Sequence, residues 1–202
     1  MASRSNRPAG GGVAVRSEAR ERILDTAYEL FSRHGVRAVG VDRIIAEANV
    51  AKMTLYHHFA TKDDLIRAFL ELRDERWTRE WFQAEVERRA ATPADHALTV
   101  FDVFDAWFHR SDFESCPFLR TVLELGAENP VHADAVRFLD DIKGMLERYA
   151  GEAGAADPQA TAYQLQILMM GSIVSATRGD LDAAKRVRPL AEHLLEAARS
   201  AR

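Results

Sequence analysis

At 202 residues the chain is long enough for one sizeable core or two small ones, and 47% hydrophobic with 29% charged residues argues against both wholesale disorder and a membrane protein. The single Cys116 excludes an intrachain disulfide framework and points to a reducing, cytoplasmic setting. The formal net charge of −4 is unevenly placed: residues 1–60 carry a balance of +3, leaving −7 for the rest, as expected where one end of a chain meets a polyanion. Chance clustering of solvated charges is the competing reading.

Residues 1–15, MASRSNRPAGGGVAV, read as a flexible arm without a signal peptide's apolar stretch. From Ser17, a potential N-cap, Ile23, Leu24, Ala27, Leu30 and Phe31 recur at helical spacing up to Gly35. A shorter helix follows from Gly40, with Asp42 in its first turn and Val41, Ile44, Ile45 and Ala48 turned inward. Asn49, one of the few residues besides glycine that enter the left-handed region readily, ends it in a tight turn. A third helix runs from Ala51 or Lys52 to about Ala60, and Thr61 with Asp64 resembles a capping box that opens a long helix towards Trp77.

No later segment alternates with period two, so the chain reads as all-α. Helices are expected in PADHALTVFDVFDAWFHR, from Cys116 to Leu125 with Pro117 in its first turn, and over residues 132–150. GEAGAADPQA reads as a loop, followed by helices from Ala160 to Arg178 and Leu181 to Arg199. The run ILMMGSIVSA falls far short of the roughly 20 apolar residues that span a bilayer, so no membrane partner is expected.

The short pair over residues 40–59 has the form of a helix-turn-helix, whose second helix can enter the DNA major groove. On a helical wheel Leu55 and Phe59 lie about 40° apart and form the inward stripe, while Lys52, Thr54, Tyr56, His57 and His58 remain for display. The adjacent histidines diverge by about 100° and have Met53 and Thr54 one turn back, which speaks against a metal pair. Burial in the core remains open, above all for His58, and contact with DNA is the best reading.

VDRIIAEANVAKMTLYHHFATKDDL, with its T-L-Y-x-x-F core and a Lys at the next helix start, resembles the DNA-binding domain of the TetR family of bacterial regulators over about residues 17–70. Two positions depart from the pattern: Asn49 replaces the usual turn glycine, and Gly40 stands where a capping, phosphate-touching Thr is common. The resemblance implies an N-terminal three-helix DNA-binding domain, residues 16–76, and a C-terminal helical ligand-binding and dimerisation domain, residues 77–202. It implies that Lys52, Met53 and Thr54 face base edges and phosphates, that Tyr56 gives its hydroxyl to a phosphate and that His57 reaches bases. His58 and Lys62 would hold the DNA backbone, with Arg43, Arg4 and Arg7 as further contacts.

For the body it implies a small-molecule pocket, largely apolar, drawn from Phe104, Trp107, Phe108, Cys116, Phe118, Leu123, Met169 and Met170, with His109, Arg120 and Glu124 as polar anchors. It also implies a homodimer through the last two helices, with Leu165, Leu168, Ile173, Leu190, Leu194 and Leu195 at the interface. Together these describe a regulator, most simply a repressor, released from a pseudo-palindromic double-stranded operator by a small effector, with no cofactor or metal. The rivals are a helical small-molecule-binding protein that never meets DNA and an enzyme using His109, Cys116 and Glu124. Cys116 at a helix start could be a redox sensor or simply a small apolar cap.

Overall fold

The structure, a computed structural model, describes residues 17–200, so the expected arm with Arg4 and Arg7 lies outside the described residues. Among the described residues every regular element is helical. The first, α1 (Glu18–His34), starts where Ser17 Oγ accepts the Arg20 amide at 3.2 Å, carries Glu18 and Glu21 in its first turn and Arg33 and His34 in its last, and stops at Gly35. Helix α2 (Val41–Ala48) is closed by Asn49, whose φ of 51° and ψ of 54° are the left-handed turn expected there. It buries Ile44 and Ala48 fully, while Val41 and Ile45 are only half-buried.

Helix α3 (Lys52–His58) stops slightly earlier than expected, because Phe59 adopts an extended φ of −134°. The chain then enters α4 (Lys62–Arg73) through the full capping box, with Thr61 Oγ1 accepting the Asp64 amide at 3.1 Å and Asp64 Oδ2 accepting the Thr61 amide at 3.0 Å.

Beyond Arg73 the helix does not end. It widens into a π-helix, Asp74–Gln83, and tightens again into α5 (Ala84–Arg89). Two pairs five residues apart accompany the wide turn: Arg79 Nε donates to Asp74 Oδ2 at 2.7 Å, and the Trp77 and Phe82 rings stack at 5.2 Å. This helical run carries the chain from head to body, and the domain boundary expected after residue 76 falls inside it.

The body comprises a 3-10 turn (Pro93–Asp95), α6 (His96–Phe108), α7 (Pro117–Glu124), α8 (Pro130–Glu152), α9 (Pro158–Thr177) and α10 (Ala183–Ser200). Prolines at the starts of α7, α8 and α9 fill positions where a missing N–H costs nothing, and α8 begins at Pro130 itself, capped by Asn129. The expected loop at residues 151–160 is narrower, because α8 and α9 extend into it from both sides. Helix α8 packs against α7 and α9, α10 against α6 and α9, and α4 touches α1, α7 and α8, so one apolar core runs through head and body. No helix of the described residues is long and apolar enough to cross a membrane.

Candidate nucleic-acid interface

Seven residues are too few for a helix that holds its shape alone, so α3 depends on its clamp. Leu55 is 0% and Phe59 3% exposed, and the Arg20 guanidinium lies 5.0 Å over the Phe59 ring. Opposite that clamp Lys52, Met53, Tyr56 and His57 are exposed and Thr54 is half-buried. Met53, at 79% exposed, is a large apolar side chain held in solvent on the displayed face.

Lys52 lies 3.6 Å from Asp42, and Arg43 Nε donates to Glu47 at 2.7 Å. Both are exposed pairs, individually weak, whose cations can turn to a phosphate at little cost. The two imidazoles splay apart, their planes at 72°.

His58 has a partner within the protein. Half-buried, its Nε2 is hydrogen-bonded to Ser17 Oγ at 3.1 Å, so it ties α3 to the cap of α1 rather than facing outward with His57. Lys62 is also half-buried; desolvation holds its ammonium below its usual range, against the opposing pull of Asp63 and Glu124. The displayed side of α3 therefore carries Lys52, Met53, Thr54, Tyr56 and His57. Ser17 was missed as a partner because nothing local ties it to a histidine 41 residues away.

In the body, five of the expected pocket residues, Phe104, Trp107, Cys116, Phe118 and Met169, line one apolar inner cavity. It is narrow, about 20 Å3, room for roughly one water molecule. Arg73, Trp77 and Phe82 from the π-helical region also line it, a contribution hidden from a reading that ended the helix near Trp77.

The other expected pocket residues lie elsewhere. Phe108 is core, Leu123 is 75% exposed and Met170 is half-buried away from the cavity. Arg120 and Glu124 pair with each other at 2.7 Å and reach out of the body to the end of α1. There Arg120 Nη1 donates to the carbonyl oxygens of Ser32 and Arg33, and Glu124 Oε2 accepts the Arg37 amide at 2.9 Å. The pair thus satisfies carbonyls that a helix end leaves open and fastens α7 to the head.

Desolvation pushes the Cys116 thiol up, opposite to what a redox-sensing thiolate needs. His109, Cys116 and Glu124 do not converge: His109 Nδ1 contacts the Asp105 carbonyl at 2.8 Å, while Cys116 and Glu124 sit at opposite ends of α7.

Of the expected interface residues, Leu165, Ile173 and Leu195 are 0 to 2% exposed in the protomer's own core, and Leu168 and Leu194 are half-buried. Leu190 alone of the six is exposed, at 58%. The face of α9 turned away from α8 and α10 is carried instead by Tyr163, Ile167 and Val174, spaced one and two turns apart.

Comparison with known proteins bears on this geometry directly. Residues 23–69 match the model of "Bacterial regulatory proteins, tetR family". The activator FasR of Mycolicibacterium smegmatis is 41% identical over 69 residues, covering 32% of each chain. The repressor KstR2 of Rhodococcus jostii is 35% identical over 68 residues, covering 32% of this chain and 33% of its own. The chain thus spans about a third of the length of the curated relatives it matches. The structure of SCO4454, a TetR-family transcriptional regulator from Streptomyces coelicolor, superposes with a TM-score of 0.79 at 28% identity, covering 90% of this chain and 96% of its own. Residues 23–69 thus carry the helix-turn-helix domain of the TetR family of bacterial regulatory proteins, and the chain as a whole shares the architecture of a TetR-family regulator.

Proposed function

We propose that the chain is a sequence-specific DNA-binding transcriptional regulator, working as a two-fold dimer, with residues 16–76 as the reading head and 77–202 as the effector-binding and dimerisation body. The observation that carries this reading is the clamped α3, which presents Lys52, Thr54, Tyr56 and His57 on one face while Leu55 and Phe59 anchor it. Side chains of that face read base edges, and Lys52 and Tyr56 supply phosphate contacts that fix register.

The protein acts as a repressor released by its effector, and by linkage DNA and effector weaken each other's binding. Relatives named as activator and as repressor both match the head, so a reporter gene driven from a selected operator decides the sign. Selection from random duplexes followed by gel shift tests the whole proposal, and recovery of no palindromic motif would sink it. Lys52→Ala is expected to weaken binding to all sequences alike and to reduce the slope of log affinity against log salt by about 1; titrations at several salt concentrations that give an unchanged slope remove Lys52 from the phosphate contacts.

The dimer reading is supported by the exposure of Tyr163, Ile167 and Val174 on α9 and of Leu190 on α10, large apolar side chains left in solvent by the protomer. Sedimentation at micromolar concentration is expected to show a dimer, and Ile167→Glu a folded monomer, since an unpaired charge there is costly only when covered. A variant that stays dimeric places the interface elsewhere.

A further inference from the structure

Between head and body lies a crevice of about 240 Å3, divided from the inner cavity by Arg73, Trp77 and Trp107, which line both. Its walls bring together three arginines and three tryptophans. Arg73, Arg76, Trp77 and Trp81 come from the end of α4 and the π-helix, Trp107 from the end of α6 and Arg110 from the turn after it, and Tyr28 faces them from α1. Trp77 lies 5.4 Å from Trp81 and 4.5 Å from Trp107, ring centre to ring centre.

The charges do not cancel. Arg110 is held by Asp112 through two bonds of 2.7 and 2.6 Å, and Arg76 pairs with Asp25 at 3.0 Å. Among the described residues Arg73 has no carboxylate within 4.0 Å. Its Nη1 donates to the Tyr28 hydroxyl at 3.1 Å, its guanidinium lies 4.8 Å from the Trp77 ring centre, and its buried Nε has no hydrogen-bond partner. Asp112 also lines the crevice within reach of the Arg73 charge, but both of its carboxylate oxygens accept from Arg110, so Arg73 stands over the aromatic wall without an ion-pair partner of its own.

We propose that this crevice binds a planar aromatic monocarboxylate, its ring against the tryptophans and its carboxylate on Arg73. The guanidinium fork matches a carboxylate in shape and charge, and indole faces offer a planar ligand a large apolar contact. A cation would be repelled, a neutral aromatic would leave Arg73 unpaired, and a dianion would need a second free cation. The crevice also has room the inner cavity lacks. A carboxylate on Arg73 competes with the Tyr28 hydroxyl for the guanidinium, altering a link to α1. That consequence for DNA rests on the function proposed above; occupancy of the crevice does not.

Isothermal titration calorimetry of the full chain without DNA, using 2-naphthoate and the neutral 2-naphthamide, tests occupancy alone. The acid is expected to bind at least about tenfold more tightly than the amide, the scale of one charge-assisted contact. Arg73→Gln should bring the acid down to the level of the amide, Arg73→Lys should fall between, and Phe118→Leu, which alters the inner cavity only, should leave the acid unaffected. Absence of naphthoate binding, equal affinities for acid and amide, or a loss in Phe118→Leu with Arg73→Gln unchanged would each overturn the proposal. The comparison of acid with amide on the unaltered protein needs no variant to fold.

Discussion

Gly35→Ala is expected to destabilise the protein by about 3 kcal/mol, a fall in Tm on the order of 10 °C for a chain of this size. Gly35 sits at φ 83° and ψ 161°, a region open almost only to glycine. A Cβ built there would overlap the Glu124 carboxylate and press on Arg120. The substitution therefore adds backbone strain and also expels the pair that caps the last carbonyls of α1 and receives the Arg37 amide. Charge-assisted hydrogen bonds of this kind contribute about 1.5 to 3 kcal/mol each when a partner is left unpaired. Thermal denaturation checks the figure, and a melt within about 1 °C of the parent would contradict this account of the α1–α7 junction.

Leu55→Ala is expected to abolish specific DNA binding while leaving the body folded. Removing a fully buried leucine costs about 2 to 5 kcal/mol. In α3 that cost falls on a seven-residue helix with no stability of its own, so the reading face loses its fixed position before the rest of the molecule unfolds. Gel shifts should show a loss of at least about a hundredfold, and hydrogen exchange should show protection lost in α3 and kept in α8. His57→Ala is the useful contrast, since an exposed side chain can be removed with little effect on stability. Retained specific binding by Leu55→Ala would mean that the clamp is not what positions the face.

Much of the head was legible because local chemistry decides it. Ser17, Asn49, and Thr61 with Asp64 each end or open a helix through atoms within a few residues, and the structure places them in those roles. His58 was less legible because its partner is 41 residues away. The body was harder for two physical reasons. Helix α9 is apolar on several faces, so periodicity could not separate Leu165 and Ile173, which fill the protomer's own core, from Tyr163, Ile167 and Val174, which do not. Arg120 and Glu124 read as pocket anchors, whereas the crossing of α7 over the end of α1 gives the pair its partners there.

The wide turn between Arg73 and Ala84 was the least legible feature, since no sequence period announces it, and it has a consequence for the aromatic wall. On an α-helix, residues five apart point about 140° away from each other. The Asp74–Arg79 bridge and the Trp77–Phe82 stack exist because ten residues are wound more loosely. Rewinding the segment by a single residue into the ordinary pitch would part both pairs together and swing Phe82 off Trp77, whose ring separates the inner cavity from the crevice. The winding of one helix thus sets whether those two spaces are separate rooms or one.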